Sequence, residues 1–162
     1  MEKFLKNVYE SKKISTLLKW ACNISVLVSL IGFSIVCYGA FALSAESLIK
    51  VLIIFGAPFL LVTLLRRALD MKRPYQVYGF YVEPPKNKSG HSFPSRHAFS
   101  SFVIGVTALF VYPAIGVVLL FFGVLLCICR VLLGIHFIRD VICGALIGAV
   151  CSILGVLIFA PF

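Results

Sequence analysis

The sequence predicts an all-α fold, a polytopic bundle of about five or six transmembrane helices. Two observations support this prediction. Of 162 residues, 61% are hydrophobic and 13% are charged, and the mean hydropathy is +1.07, whereas soluble domains carry about 25% charged residues. Uncharged stretches also reach the roughly 20 residues that a helix needs to cross a bilayer. A soluble globule, a disordered chain and a disulfide-stapled secreted module are therefore excluded, and we expect residues 1–162 to form one membrane-embedded domain.

Five apolar stretches are predicted to span the bilayer. They are residues 20–45, 47–65, 94–112, 114–133 and 141–162. The third and fourth come from one long apolar run, which we divide at Tyr112-Pro113 because proline is disfavoured inside a helix and favoured in its first turn. Lys50 lies near the start of the second span, where its long side chain can reach the interface.

Two segments outside these spans carry most of the charge. Residues 1–19 are basic, and Phe4, Leu5 and Val8 recur at helical spacing, so we expect a short helix that lies in the membrane interface. Residues 67–96 are rich in proline, glycine and charged side chains. Because a loop of this length between helices is usually functional or disordered, we expect it to be a catalytic loop.

All six cysteines lie in apolar stretches, where cysteine usually acts as a small hydrophobic side chain. The alternative is a metal site made of Cys127, Cys129 and His136. Two thiols separated by one residue point away from each other on a helix, whereas metal ligands must converge. We therefore expect neither a metal ion nor another cofactor.

Three clusters of polar side chains interrupt the second half of the chain. In the first cluster, Arg66 and Arg73 are seven residues apart, so two helical turns would place them on one face. Asp70 could pair with either arginine, and Pro74 would end the helix. Taken alone, this cluster is also typical of a positive anchor at the end of a span.

The second cluster, residues 91–97, lies at the predicted start of a helix. Pro94 suits the first turn of that helix, and Ser92 could cap it. Amide groups at a helix N-terminus attract anions, and the side chains of residues 95–97 add further donors. A simple polar cap is the alternative, and we expect His91 to cap the helix rather than join a site.

The third cluster contains Arg130, His136 and Asp140. Gly134 allows the helix to break before the histidine. Asp140 follows His136 by four residues, so its carboxylate can reach the imidazole and fix its tautomer; a buried structural pair is the alternative. Together the three clusters supply the cations, histidines and carboxylate that phosphoryl transfer needs.

The order and spacing of these residues resemble the type 2 phosphatidic acid phosphatase superfamily, which includes the vanadium haloperoxidases. The motif Lys-x6-Arg-Pro corresponds to Arg66-x6-Arg73-Pro74, and Pro-Ser-Gly-His corresponds to Pro94-Ser95-Arg96-His97. The motif Ser-Arg-x5-His-x3-Asp corresponds to Cys129-Arg130-x5-His136-x3-Asp140. The resemblance covers residues 60–160, which we take as the catalytic half. The three departures from the family pattern are Arg66 for Lys, Arg96 for Gly and Cys129 for Ser.

The resemblance implies a metal-independent phosphatase. His136 would be the nucleophile that forms a phosphohistidine, Asp140 would orient it, and His97 would protonate the leaving group and later activate water. The residues implied to bind the phosphate are Arg66, Arg73, Ser95, Arg130 and, through its backbone N–H, Arg96.

The implied substrate is a lipid phosphate held in the bilayer. Polyprenyl phosphate or diphosphate, phosphatidate and phosphatidylglycerol phosphate are the simplest choices, and no nucleic-acid partner is expected. Two other functions stay open. The departures at Arg96 and Cys129 would suit a catalytically silent membrane protein that binds anionic lipids. Intramembrane Arg130 and Asp140 would suit a small transporter, although a transporter does not explain three matched spacings.

Two predictions disagree about the side of the membrane on which the site lies. The family usually has six spans and catalytic loops that face away from the cytoplasm. Here two predicted spans precede Arg66, so the site shares a face with the basic residues 1–19, which predict the cytoplasmic side. We expect a protein of the bacterial cell membrane whose site lies near the cytoplasmic interface.

Overall fold

Five long helices and one short helix build the computed structural model of the chain, which describes residues 11–79 and 90–160. In chain order they are α1 (Lys12–Leu43), α2 (Ala45–Leu69), α3 (Pro74–Tyr78), α4 (Arg96–Val111), α5 (Pro113–Leu132) and α6 (Ile138–Phe159). The described residues contain no strand. The predicted all-α class is therefore confirmed.

Four of these helices, α1, α2, α5 and α6, are long and apolar enough to cross a membrane. Helix α4 is also apolar, but its 16 residues are fewer than the roughly 20 of a full crossing. Large apolar side chains cover the outer faces of the bundle, among them Trp20, Ile31, Leu60, Phe121, Leu146 and Leu157. Since such faces are stable only against hydrocarbon, the chain is an integral membrane protein.

Two tight turns lie at the end of the bundle remote from the polar clusters. Ser44 alone joins α1 to α2: its N–H donates to the Ala40 carbonyl at 3.1 Å, and its hydroxyl accepts from the Ser47 N–H at 3.0 Å. Tyr112 joins α4 to α5, which begins at Pro113. The predicted break at Tyr112-Pro113 is therefore present.

The helix boundaries differ from the predicted spans mainly at the polar ends. Helix α1 begins at Lys12, so residues 12–19 of the predicted interfacial segment belong to α1, and residues 1–10 lie outside the described residues. Within the predicted loop 67–96, α2 extends through Leu69 and α3 forms a further turn. Residues 80–89 of that loop lie outside the described residues.

Helix α4 occupies the centre of the bundle, with nine of its 16 residues buried. Its backbone lies very close to α6, because α6 presents glycines at the crossing. A Cβ atom at Gly144 would lie 2.5 Å from the Ser95 carbonyl oxygen, and one at Gly148 would lie 2.5 Å from that of Phe99. Small residues allow membrane helices to approach in this way.

Buried hydroxyl groups tie α4 to two neighbouring helices. Ser101 and Ser29 of α1 have their hydroxyl oxygens 3.2 Å apart, and Thr107 and Ser152 of α6 have theirs 2.7 Å apart. Such hydrogen bonds between helices are worth about 0.6 kcal/mol on average within membranes. They fix the register of α4 against α1 and α6, and with it the position of the N-terminal end of α4.

Replacing Gly148 by alanine should destabilise the bundle, because the added methyl group has no room against the α4 backbone. We expect the free energy of unfolding to fall by about 1–3 kcal/mol, the usual cost of overpacking a core. Unfolding in detergent micelles measures the effect.

Gly56→Ala is the matched control, because Gly56 also lies inside a helix and a Cβ there meets nothing within 4 Å. This variant should be neutral or more stable, since alanine is the better helix former. Equal stabilities of the Gly148→Ala and Gly56→Ala variants would contradict the close approach of α4 and α6.

Candidate active site

The three polar clusters meet at one end of the bundle. Helix α2 ends near Arg66, α4 begins at Arg96 and His97, α5 ends near Arg130, and α6 begins near Asp140. His97 is close enough to interact electrostatically with His136 and with three arginines, Arg66, Arg96 and Arg130. Arg73 interacts in the same way with Arg96, Arg130 and Asp140. The fold therefore brings together the charged residues and histidines that the sequence predicts for the site.

A short turn places His136 next to Asp140. Gly134 has a φ of +62°, which allows the chain to leave α5, and the N–H groups of Ile135 and His136 donate to the Arg130 carbonyl at 3.0 and 3.3 Å. The Oδ2 atom of Asp140 accepts from the Phe137 N–H at 3.0 Å and lies 3.6 Å from the Nδ1 atom of His136. The predicted pairing of histidine and aspartate is thus present, and the carboxylate also caps α6.

Burial keeps the imidazole of His136 neutral. The side chain is 3% exposed, and burial lowers its pKa to about 4, with Arg73 and Arg66 acting in the same direction. The nearby Asp140 carboxylate favours the protonated ring but does not outweigh burial. A neutral imidazole retains a lone pair that can attack an electrophile.

Ser92 is the residue of this site that the sequence does not identify. Its predicted role as the cap of α4 is wrong, because α4 begins later and Ser95 caps it, with the Ser95 hydroxyl accepting from the Ala98 N–H at 3.5 Å. The Ser92 hydroxyl instead donates to Asp140 Oδ2 at 2.5 Å and lies 3.4 Å from His136 Nδ1. These partners are 48 and 44 residues away in the chain, so no local pattern could show them.

Arg66 holds the backbone of the loop that precedes α4. Its guanidinium group is buried and donates to the carbonyl oxygens of His91, Ser92 and Pro94. A planar guanidinium can serve several acceptors at once. This geometry accounts for arginine at a position where the family pattern has lysine.

The first cluster is not the single helix face that the spacing predicts. Helix α2 ends at Leu69, and Asp70 takes a left-handed conformation with a φ of 37°, so Arg73 reaches the site from the next turn of chain. The residue before a proline disfavours the α conformation, which explains why the helix cannot extend to Pro74. Arg73 is buried and its Nε atom donates to the Gly90 carbonyl at 3.1 Å.

Asp70 and His91 anchor the outer end of the same loop. The sequence predicts that Asp70 can pair with an arginine, but its carboxylate contacts His91 instead. The Oδ1 atom accepts from the His91 N–H at 3.2 Å and lies 3.1 Å from His91 Nδ1. That imidazole nitrogen is also 3.1 Å from the Arg66 carbonyl oxygen. His91 therefore secures the loop, although it does not cap α4.

The N-terminus of α4 accommodates both Ser95 and Arg96. The Ser95 N–H donates to the Asp140 carbonyl at 2.9 Å, so its hydroxyl and its amide are both engaged in structure. Arg96 is the first helical residue and is not among the residues with positive φ. Glycine's conformational freedom is not needed there, and the arginine side chain remains exposed beside His97.

Arg130 carries an unused donor. Its Nε atom is buried and makes no hydrogen bond within the part of the chain that the structure describes. Among the same residues, Asp140 is the one buried carboxylate, whereas Arg66 and Arg73 are both buried. Positive charge therefore exceeds negative charge at this end of the bundle, and the free donor suits an anion.

Cys129 lies in apolar packing rather than in the polar site. It is buried in a cluster with Cys22, Leu126 and Leu133, which agrees with the hydrophobic role expected for the cysteines. Within residues 11–79 and 90–160, no three histidine, cysteine or acidic side chains lie close enough to hold a metal ion.

A cavity of about 460 Å³ lies beside the polar cluster, between α1, α2 and α4. Phe33, Phe55 and Phe59 line it, and Arg96 and His97 contribute to the same wall. An apolar space with a cationic and titratable edge can hold a molecule that has a hydrocarbon part and an anionic part.

Comparison with known proteins places this geometry in context. The model of the PAP2 superfamily matches residues 47–161. The chain is 34% identical over 107 residues to a lipid A 1-phosphatase of Rhizobium johnstonii, a match that covers 62% of this chain and 43% of the relative. The chain thus spans less than half the length of this relative.

Two crystal structures share the fold. A transmembrane PAP2 type phosphatidylglycerolphosphate phosphatase from Bacillus subtilis superposes with a TM-score of 0.68 at 23% identity, over 95% of this chain and 81% of that one. LpxE from Aquifex aeolicus superposes with a TM-score of 0.67 at 18% identity, over 96% and 93% of the two chains.

The neutral state of His136 gives a prediction for stability. An unfolded histidine titrates near 6.5, whereas the pKa of His136 is lowered to about 4. The unfolded state therefore binds the proton first, and the free energy of unfolding should fall as the pH decreases from about 6.5 to about 4.

NMR of protein labelled with 15N-histidine measures the titration directly, and His136→Gln assigns the resonance and should weaken the pH dependence. A His136 midpoint at or above 6.5 would contradict the burial of a neutral ring.

Proposed function

Because the chain belongs to the PAP2 superfamily, we propose that it is a phosphatase that removes a phosphate group from a lipid in the membrane. The observation that carries the proposal is the position of the polar cluster. Four arginines, two histidines and one buried aspartate lie next to an apolar cavity, and Arg96 and His97 border both. A lipid phosphate has the two chemical parts that this site can bind.

The first step would be an attack by His136. The Nδ1 atom of the ring lies close to both Ser92 and Asp140. The lone pair of Nε2 is therefore available to attack the phosphorus atom. The bond between Nε2 and phosphorus forms, and the bond between phosphorus and the leaving oxygen breaks. His97, which must first take up a second proton beside the anionic substrate, gives that proton to the leaving oxygen. The leaving group is a lipid alcohol, or a lipid monophosphate if the substrate is a diphosphate.

The second step would release phosphate. His97, now neutral, takes a proton from a water molecule, and the resulting hydroxide attacks phosphorus. The bond to Nε2 then breaks, which returns His136 to its neutral form and frees inorganic phosphate. The guanidinium groups of Arg73 and Arg130, together with the amides at the start of α4, would neutralise the phosphoryl oxygens throughout.

Arginine side chains provide the positive charge that other phosphatases draw from metal ions, and we therefore propose metal-independent hydrolysis. Arg66 would contribute its charge and also hold the loop through its backbone contacts. Ser95 would contribute by fixing the first turn of α4, whose free amides face the phosphate.

The substrate class follows from the cavity and from the relatives. Those relatives are named for lipid A and for phosphatidylglycerol phosphate, both lipid phosphates. We propose a phosphomonoester or diphosphate of a polyprenyl or phospholipid type for this chain, since aromatic and aliphatic side chains make up most of the cavity wall.

A catalytically silent protein that binds anionic lipids is the alternative, and it rests on the departures at Arg96 and Cys129. Arg96 starts a helix with ordinary backbone angles, and Cys129 is packed among apolar side chains. Neither departure displaces a reacting group, so these observations favour an active enzyme.

His136→Ala and His97→Ala should each lower the rate of phosphate release by about 1000-fold or more, because groups that act as a unit in catalysis have losses of this size. The assay measures phosphate colorimetrically from a panel of phospholipid and polyprenyl phosphates, without added metal and with vanadate as inhibitor. Lys50→Ala, at the remote end of the bundle, should keep full activity. Full activity of either histidine variant would overturn the mechanism.

We propose that the site faces the cytoplasm of a bacterial cell membrane. Leaving aside the arginines assigned to phosphate, the site end still carries Lys12, Lys13, Lys19, Arg67, Lys72 and Arg139. The described residues at the remote end include one basic residue, Lys50 in the first turns of α2, whose Nζ lies 2.7 Å from Glu46 Oε1. Such an excess of lysine and arginine is typical of the cytoplasmic face.

Single cysteines introduced in place of Lys72 and Glu46 test this orientation, in a background whose native cysteines are replaced by alanine. An impermeant thiol reagent added to intact cells should label the Glu46→Cys variant and not the Lys72→Cys variant. The opposite labelling pattern would place the site on the outer face.

A further inference from the structure

Ser92 lies between the proposed nucleophile, His136, and the carboxylate that pairs with it, Asp140. Its residue is fully buried, and its hydroxyl donates to Asp140 Oδ2 at 2.5 Å while lying 3.4 Å from His136 Nδ1. The direct separation of His136 Nδ1 and Asp140 Oδ2 is longer, at 3.6 Å. The hydroxyl therefore bridges the imidazole and the carboxylate.

The hydrogen-bonding capacity of a hydroxyl decides the direction of this bridge. A serine hydroxyl has one proton to donate and two lone pairs that accept. Because its proton goes to the Asp140 carboxylate, it can only accept from His136. The Nδ1 atom of His136 must then carry the ring proton, and Nε2 must be the unprotonated nitrogen.

We propose that Ser92 is a positioning residue that holds His136 in the tautomer whose Nε2 atom is free to attack phosphorus. This inference rests on the proposed phosphatase function, which it extends by a residue outside the three matched motifs. Ser92 acts through His136 and Asp140 and does not itself touch the substrate.

Backbone hydrogen bonds on both sides of Ser92 fix the position from which its side chain reaches Asp140. Its N–H donates to the Met71 carbonyl at 2.8 Å, and its own carbonyl accepts from Arg66 Nη1 at 3.4 Å. Both partners belong to the chain at the end of α2. The first cluster of the sequence thereby aligns a side chain that serves the third cluster.

The charged and titratable groups around His136 show what the hydroxyl does to its protonation. Burial, Arg73 from the turn before α3 and Arg66 from α2 disfavour a second proton on the ring, whereas Asp140 from α6 favours it. His97 from α4 is a further titratable group that interacts with His136. The hydrogen bond that Ser92 donates to Asp140 offsets part of the negative charge of the carboxylate. Without the hydroxyl, more of that charge would act on His136.

Removing the hydroxyl should therefore change two measurable quantities in Ser92→Ala. The value of kcat should fall by about 10- to 100-fold, the size expected when a reacting group is misplaced by a fraction of an ångström to an ångström, with little change in KM. The acid limb of the pH profile of kcat should move to higher pH, because the carboxylate then raises the pKa of His136. Ser92→Thr, which keeps a hydroxyl, should restore both.

Ser152→Ala is the matched control. Ser152 is also fully buried and also shares a hydrogen bond with a side chain, that of Thr107, but it lies far along α6 from the site. This variant should lose stability without any shift of the acid limb. If Ser92→Ala shows the same pH profile as Ser152→Ala, Ser92 has only a structural role and the proposal fails.

The tautomer can also be measured without turnover. In 15N-histidine NMR of the wild-type protein near neutral pH, the His136 ring should carry its proton on Nδ1, and a proton on Nε2 would overturn the proposal even if Ser92→Ala does not fold. Failure of the proposed function is a separate result: the wild type would release no more phosphate than His136→Ala from any lipid phosphate, while the tautomer would still be readable.

Discussion

The close packing of α4 against α6 sets the positions of the groups in the site. Gly144 lets the α6 backbone approach the Ser95 carbonyl, and the Ser95 N–H donates to the Asp140 carbonyl at 2.9 Å. One contact thus joins the start of α4, which carries His97, to the start of α6, which carries Asp140. Because this contact joins the two helix ends, it fixes the position of His97 relative to Asp140.

Burying the positive charge of the site costs free energy, which other interactions in the fold must offset. Arg66 and Arg73 are both buried, and a buried cation is unfavourable unless it is hydrogen-bonded. The loop before α4 meets this need with its own carbonyl groups, from Gly90 to Pro94. The arginines therefore shape the loop as much as the loop holds the arginines.

Local rules predict much of this protein. Proline at position 113 ends one helix and starts the next, and Gly134 turns the chain before His136, as the sequence indicates. The spacing of His136 and Asp140 also gives the correct pair. These features depend on a few neighbouring residues. The backbone preferences of proline and glycine are strong enough to decide the local conformation without distant contacts.

What the sequence does not reveal depends on distant packing. The partner of Asp70 is His91 rather than an arginine, because α2 ends before Arg73 and the chain turns away. The hydroxyl of Ser92 reaches Asp140 because of the way α4 and α6 cross. The first residue of the third motif, Cys129, belongs to an apolar cluster with Cys22 of α1. In each case the decisive neighbour is far away in the chain, and local spacing carries no record of it.

The apolar cavity is lined by residues from two parts of the chain. One wall comes from α1, through residues such as Ser29 and Phe33, and α1 precedes residues 47–161, which match the family model. The cavity thus combines one wall from α1 with walls from the stretch of chain that also carries the polar cluster. Under the proposed function, a change in α1 can reshape the room available to a hydrocarbon chain while the residues assigned to phosphate stay as they are, so the preference for one lipid over another can change independently of hydrolysis.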